Sequence, residues 1–80
     1  MQVTLFSRPG CHLCDVARGA LLTQRDRTPF DLVEVDVSTE DALELEYGIR
    51  IPVVLIDGVE AFEIEVDAER LRELVSRSRW

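Results

Sequence analysis

The sequence predicts an α/β fold in which a four-stranded mixed sheet carries helices on both faces, in the order β-α-β-α-β-β-α. Two observations support this order. A short apolar run at residues 3–6 is followed by a helical pattern and then by a second β-prone segment, which is typical of a right-handed βαβ unit with parallel strands. Asp57 and Gly58 lie between two further β-prone segments and predict an antiparallel hairpin. A chain of 80 residues is expected to form one domain, residues 1–80.

The first strand and the first helix flank the turn that holds both cysteines. Residues 3–6 are β-prone and almost entirely apolar, so we expect a buried central strand. Pro9 cannot extend a strand ladder, and Gly10 permits a tight connection to the next element. Residues 12–25 have helical periodicity, which places Gln24 outside the apolar face. That face is expected to contain Leu13, Ala17, Ala20 and Leu21.

The second strand and the second helix are predicted from a change of pattern. Residues 26–29 form a polar turn, and residues 30–37 alternate between apolar and acidic side chains, as expected for a strand with one solvent-facing side. Ser38 is a candidate N-cap, and Asp41 lies at the acidic position of a capping box. We therefore predict a short helix over residues 39–47.

The last third of the chain adds the hairpin and a third helix. Pro52 is expected at the start of its strand, because proline cannot donate a hydrogen bond to a sheet. Asp67 is the predicted N-cap of the last helix, which is expected to end near Ser78. The apolar face of that helix is predicted to contain Ala68, Leu71, Leu74 and Val75.

The composition argues against several classes of partner. A formal net charge of −7 disfavours nucleic acids and acidic membrane surfaces, since both require a basic face. No apolar run is long enough for a membrane helix, and the N-terminus has the pattern of a strand rather than of a signal peptide. These features predict a cytoplasmic protein, and we expect a monomer. Thiols are kept reduced in the cytoplasm, where a Cys-x-x-Cys pair is typically redox-active or metal-binding.

Cys11 and Cys14 are the only cysteines, and they lie at the first turn of the first predicted helix. Two thiols at this spacing can form a disulfide, and a helix N-terminus favours the thiolate form of the first. Arg8 and His12 are two further groups that could lower the pKa of Cys11. Each also has a simpler interpretation as a solvated surface residue, and the cysteine pair could be an inert part of the core.

At this point the sequence resembles the thioredoxin superfamily. Residues 11–14 read Cys-His-Leu-Cys after a first strand, and Ile51 and Pro52 precede a hairpin. The pattern is most similar to small bacterial glutaredoxin-like proteins. The resemblance implies a thioredoxin-like fold and thiol–disulfide chemistry, with Cys11 as the nucleophile and Cys14 as the resolving thiol.

The resemblance also implies a substrate site around the dithiol. Pro52 would form a cis peptide facing the cysteines, and Ile51 would offer its backbone to a bound thiol. Arg8 lies where glutaredoxins carry a Lys that meets a carboxylate of glutathione, and Leu13 replaces the usual Tyr between the cysteines. The expected substrate-binding residues are Arg8, His12, Leu13, Ile51 and Pro52.

One segment departs from the glutaredoxin pattern. Glutaredoxins place two glycines and a polar pair after the hairpin, where they receive the glutamyl end of glutathione. Here residues 62–67 read Phe-Glu-Ile-Glu-Val-Asp. Glu63 and Glu65 are expected on solvated faces. Side-chain bulk and like charge predict weakened glutathione binding.

The expected function is a thiol–disulfide oxidoreductase that reduces protein disulfides or glutathione-mixed disulfides. Its partners would be such substrates and a cytosolic reductant, with glutathione as an optional co-substrate and no resident cofactor or metal. Two alternatives stay open. One is a metal-handling or iron–sulfur module that uses Cys11, His12 and Cys14, although a closed zinc site needs a fourth ligand. The other is a non-catalytic binding domain with the same fold.

Overall fold

The computed structural model describes residues 1–77 and has the predicted order of elements. A short 3₁₀ turn precedes the second helix. In chain order the elements are β1 (Gln2–Ser7), α1 (His12–Arg27), β2 (Asp31–Asp36), the 3₁₀ turn (Val37–Thr39), α2 (Asp41–Tyr47), β3 (Val53–Ile56), β4 (Val59–Glu63) and α3 (Ala68–Arg77).

The four strands form one mixed sheet in the order β2-β1-β3-β4. β1 runs parallel to β2 and antiparallel to β3, and β3 and β4 form an antiparallel hairpin. The register pairs Ser7 with Asp36, Phe6 with Val53, and Val53 with Glu63. One end of the sheet therefore collects the last residues of β1, β2 and β4 and the first residue of β3.

Apolar side chains cover both faces of this sheet. One cluster joins the sheet to α1 and α3 and contains Val3, Leu5, Ala17, Leu21, Phe30, Val54, Ile56, Leu71 and Val75. The second contains Phe6, Val37 and Val53, with Leu43 and Tyr47 of α2 packed against them. The Tyr47 ring stacks on Phe6 with 4.1 Å between centroids. The prediction of helices on both faces is thus confirmed, as is the burial of β1.

The hairpin turn follows the prediction from its sequence. Asp57 and Gly58 have φ values of 49° and 84°, and two successive positive φ values are what a tight hairpin turn requires. Asp57 also tethers the turn to β1, because its backbone N–H donates to the Gln2 carbonyl and its carboxylate accepts from the Gln2 N–H, both at 2.8 Å.

Helix α1 differs from its prediction in length and in its buried face. It continues to Arg27, past the predicted end at residue 25. Leu13 is 46% exposed, whereas Gln24 is buried. The buried residues of α1 are Cys14, Ala17, Leu21 and Gln24. The buried face begins one residue later than predicted, at Cys14, so Leu13 faces outward. The amide of the buried Gln24 has a polar partner, because it contacts the Thr28 hydroxyl at 3.4 Å.

The predicted start of the second helix is wrong. Asp36 accepts hydrogen bonds from the backbone N–H of Ser38 at 2.9 Å and from its hydroxyl at 2.6 Å. This local turn ends β2 at Asp36 and starts the 3₁₀ turn, so Ser38 does not cap α2. Glu40 precedes α2 and makes no side-chain cap bond, so Asp41 is not part of a capping box.

Helix α3 begins as predicted. The Asp67 carboxylate accepts hydrogen bonds from the backbone N–H groups of Glu69 and Arg70 at 3.0 and 3.2 Å. Leu71 and Val75 are buried, but Ala68 is exposed, so the predicted apolar face is wrong at its first residue. The predicted end near residue 78 lies outside the described residues. Within residues 1–77, no helix has the length and apolar character needed to cross a membrane.

Candidate active site

Cys11 and Cys14 form a disulfide at the N-terminus of α1, with their Cα atoms 5.2 Å apart. Cys11 is the N-cap residue of this helix and is partly exposed. Cys14 lies one turn further along and is fully buried. An incoming thiol or disulfide can therefore reach the sulfur of Cys11, whereas Cys14 is accessible only through its partner.

The backbone of the first helical turn converges on Cys11. The N–H of Cys14 donates to the Cys11 sulfur at 3.2 Å, and the N–H of Asp15 donates to the Cys11 carbonyl at 3.1 Å. A donor aimed at the sulfur stabilises it most when it carries negative charge. The positive end of the helix dipole acts in the same direction. In the reduced protein this geometry favours a thiolate on Cys11.

The Ile51–Pro52 segment lies at the same end of the sheet. The peptide bond between these residues is cis, as the resemblance implied, and Pro52 is buried directly before β3. Because Phe6 pairs with Val53, Pro52 lies beside the end of β1, from which the chain enters the cysteine turn. The fold thus brings together two segments that are about 40 residues apart in the sequence.

Arg8 has an anionic partner within the chain. Its guanidinium forms an ion pair with Glu44 of α2, in which Nη2 lies 2.7 Å from Oε2, and Nη2 lies 3.5 Å from the Gly48 carbonyl. Its Nε is buried and has no hydrogen-bond partner among residues 1–77. A side chain at position 48 would clash with the Glu44 carbonyl. Arg8 is therefore a bridge between the cysteine turn and α2 rather than a freely solvated charge.

A second ion pair, between Arg18 and Glu34, stabilises the other side of the cysteine turn. Glu34 of β2 accepts hydrogen bonds from the buried Ser7 hydroxyl and from Arg18 Nε, both at 2.7 Å. Arg18 also contacts Asp15 at 2.7 Å. The hydrogen bonds from Arg18, followed by that from Ser7, hold the pKa of Glu34 below its usual value. The same carboxylates raise the pKa of Arg18. These contacts fix the first turns of α1 against the ends of β1 and β2.

Two of the predicted substrate-binding side chains face solvent. His12 is exposed, and Leu13 is 46% exposed although it lies between the two cysteines. Val16, three residues further along α1, is also exposed. Residues three apart lie on the same side of a helix. The surface next to the disulfide therefore exposes two apolar side chains of α1 beside the polar His12.

The segment after β4 completes this end of the sheet. The backbone N–H of Ile64 donates to the Pro52 carbonyl at 2.7 Å and approaches the Arg50 carbonyl at 3.2 Å. Ile64 has a φ of 69°, which is unusual for a β-branched residue. Glu63 is exposed, as predicted, but it also pairs with Arg50 at 3.0 Å. Sequence reasoning missed the conformation of Ile64, for which the local pattern gives no signal.

Comparison with known proteins identifies the family. The profile of the glutaredoxin-like domain (DUF836) matches residues 2–76. The chain belongs to this family. Proteins described as uncharacterised from Mycobacterium tuberculosis and Mycobacterium bovis are 38% identical to it over 84 residues, covering 99% of this chain and 87% of theirs.

Solved structures support a thioredoxin-like fold for this glutaredoxin-like chain. The crystal structure of protein XcR50 from X. campestris has a TM-score of 0.79 and 34% identity, and the match covers 95% of this chain and 97% of that one. A mutant thioredoxin from Halobacterium salinarum has a TM-score of 0.66 and 25% identity, with 95% and 72% covered.

A metal site in this glutaredoxin-like domain would need several ligands close together. Among the 77 residues that the structure describes, no group of three or more His, Cys, Asp or Glu side chains is arranged to hold a metal ion. In this disulfide form the sulfurs of Cys11 and Cys14 are bonded to each other, and no observation on the described residues favours the metal-handling alternative.

Proposed function

We propose that this protein is a thiol–disulfide oxidoreductase in which Cys11 is the attacking thiol and Cys14 the resolving thiol. The observation that carries the proposal is the asymmetry of the disulfide at the N-terminus of α1. Cys11 is accessible and accepts a helix N–H, whereas Cys14 is buried directly behind it. Family membership and the thioredoxin-like fold support the same chemistry.

The reaction would start from the reduced protein. The Cys11 thiolate attacks one sulfur of the substrate disulfide, forms a mixed disulfide and releases the other substrate sulfur as a thiolate. Cys14 then gives up its proton and attacks the Cys11 sulfur. This step releases the second substrate thiolate and forms the Cys11–Cys14 disulfide seen in the structure. Two electrons pass from the protein to the substrate.

The surrounding residues would serve substrate binding. We assign Ile51 and Pro52 to contact with the substrate backbone, since they lie beside the end of β1 that leads to the cysteine turn. Leu13 would contact an apolar part of the substrate. His12 is exposed between the cysteines and would meet the substrate as it docks. Arg8 would act mainly by holding the turn against α2 through Glu44.

Turnover requires a reductant that returns the disulfide to the dithiol. We propose that this occurs in the cytoplasm, where glutathione and thioredoxin-type systems maintain reduced thiols. The substrate would be a protein disulfide or a glutathione-mixed disulfide.

The proposal is tested by trapping the covalent intermediate. Reduced Cys14→Ser is mixed with the mixed disulfide of a cysteine-containing peptide and thionitrobenzoate, and the products are analysed by mass spectrometry under non-reducing conditions. We expect the peptide to accumulate on Cys11, because the variant lacks the thiol that would release it. Cys11→Ser, the matched control, should form no such adduct at a comparable rate. Equal adduct yields in the two variants would contradict the assigned roles.

A further inference from the structure

Ile64 combines three properties that together point to a role at the candidate active site. Its backbone is in the left-handed region at φ 69°, a conformation that is strained for a residue with a Cβ. Its side chain is 47% exposed, so burial in the core does not explain the choice of isoleucine. Its N–H is bonded to the Pro52 carbonyl at 2.7 Å, which places it next to the segment beside the cysteine turn.

The backbone contacts of Ile64 locate it relative to the disulfide. Pro52 precedes Val53, and Val53 pairs with Phe6 near the end of β1. The chain then needs only a short turn to reach Cys11. Ile64 and the exposed Leu13 therefore lie at the same end of the sheet as the disulfide, on the β4 side and the α1 side respectively.

The charges beside Ile64 disfavour an anionic ligand. Glu65 is exposed and forms no ion pair within residues 1–77. Two N–H groups at the start of α3, a place where carboxylates often bind, already donate to the chain's own Asp67. Glutathione carries two carboxylates, so its binding here would require it to approach Glu65 and to compete with Asp67.

We propose that Ile64 is a specificity-determining residue that, with Leu13, selects protein disulfides with an apolar side chain beside the reacting cysteine over glutathione-mixed disulfides. This inference rests on the proposed function and adds a substrate class to it. Apolar groups of the substrate gain free energy by covering Ile64 or Leu13, which are each about half exposed in the free protein. Glutathione offers no comparable apolar group next to its cysteine.

The test measures the first chemical step with three probes. Two neutral peptides differ only in having leucine or glycine beside a central cysteine, and the third probe is glutathione. Each is supplied as its mixed disulfide with thionitrobenzoate, whose release is followed by its colour. Each rate with the reduced protein is divided by the rate of the same probe with dithiothreitol, which corrects for differences in intrinsic reactivity.

For the wild-type protein we expect the leucine peptide to react at least about fivefold faster than the glycine peptide, and faster than the glutathione probe. Ile64→Gly should reduce the leucine preference to about twofold or less and should not slow the glutathione probe. Ile64→Val should keep most of the preference. Leu45→Ala removes an exposed apolar side chain of α2 and serves as the control, with an unchanged ratio.

The outcomes separate the two proposals. If release depends on Cys11 but the ratio of leucine to glycine rates is the same in wild type and Ile64→Gly, the role of Ile64 is wrong and the oxidoreductase proposal stands. If Cys11→Ser releases thionitrobenzoate from every probe as fast as the wild type, both proposals are wrong. A urea unfolding curve of Ile64→Gly verifies that a lost preference does not reflect lost structure.

Discussion

Two segments at the cysteine end of the sheet use left-handed backbone conformations in opposite ways. In the turn between β1 and α1, Gly10 has a φ of 80°, and an added Cβ would meet no heavy atom within 4 Å. Position 10 therefore favours glycine because of its positive φ, and not because a side chain would lack space there. After β4, Ile64 has a φ of 69° and carries a β-branched side chain. The first segment has glycine, the residue that adopts a positive φ most easily. The second has isoleucine at a positive φ, although β-branched residues rarely adopt that conformation.

We expect the largest effect on stability when a β-branched residue replaces the glycine at the left-handed position of the first segment. Gly10→Ile should lower the free energy of unfolding by about 2 kcal/mol, because a β-branched residue at φ 80° is strained. Urea denaturation of the disulfide form measures this value. Gly19→Ala is the control, since position 19 is helical and open, and this variant should gain up to about 1 kcal/mol. If Gly10→Ile were as stable as the wild type, the turn would tolerate any residue.

Replacing the isoleucine of the second segment with glycine should change the free energy of unfolding less, and in the opposite direction. Ile64→Gly removes the conformational strain but also removes some apolar contact and adds freedom to the unfolded chain. We expect the free energy of unfolding to stay the same or to rise by up to about 1 kcal/mol. A loss of more than about 1 kcal/mol in the same urea assay would show that the Ile64 side chain is mainly a packing residue.

The smallest effect concerns the charges that hold the cysteine turn. The pKa of Glu34 is lowered in the folded protein, chiefly by Arg18, so its charged form stabilises the fold. This contribution is complete above the unfolded pKa of about 4.3 and is lost as the pH falls through the lower folded pKa. Glu34→Gln should cost about 0.5 kcal/mol at pH 7, since the pair is partly exposed.

Urea unfolding at neutral and acidic pH checks this prediction. The difference between wild type and Glu34→Gln should begin to shrink below a pH of about 4.3 and should approach zero only below the lowered pKa of folded Glu34, where the carboxyl is neutral in both states. Glu63→Gln is the matched variant in the second segment, and its effect should be smaller because the Glu63 side chain is 49% exposed, compared with 36% for Glu34. A difference that persists unchanged at acidic pH would mean that Glu34 acts through shape rather than charge.

Much of the fold could be predicted because its signals are local. The hairpin follows from two adjacent residues, Asp57 and Gly58, and the start of α3 follows from Asp67. The error before α2 arose where two local signals compete. Asp36 reaches the Ser38 N–H and forms its own turn, so the serine cannot cap the helix that follows.

The candidate site was predicted only in part, for a physical reason. The spacing of Cys11 and Cys14 is visible in the sequence, as is a proline before a hairpin. The partners that hold the turn are not, since Arg18 and Glu34 are 16 residues apart and Arg8 and Glu44 are 36 apart. Only the packing of α1, β2 and α2 around the sheet brings these charges together.

The second segment shows the same limit more strongly. No local pattern indicates that isoleucine will adopt a positive φ, because the conformation is imposed by carbonyl groups of Arg50 and Pro52 that accept its N–H. The sequence shows that this segment lacks the two glycines of glutaredoxins, but it does not show which backbone conformation replaces them. Tertiary contacts, rather than propensity, decide the backbone there.

The most direct test of the account is the pH dependence of Cys11 alkylation. The measurement uses reduced Cys14→Ser, in which Cys11 is the only thiol, and follows the rate of reaction with iodoacetamide. We expect a midpoint well below about 8.5, the value for an ordinary cysteine, because the helix N-terminus favours the thiolate. A midpoint at or above about 8.5 would contradict it, since the sulfur that accepts the Cys14 N–H would then gain nothing from its position.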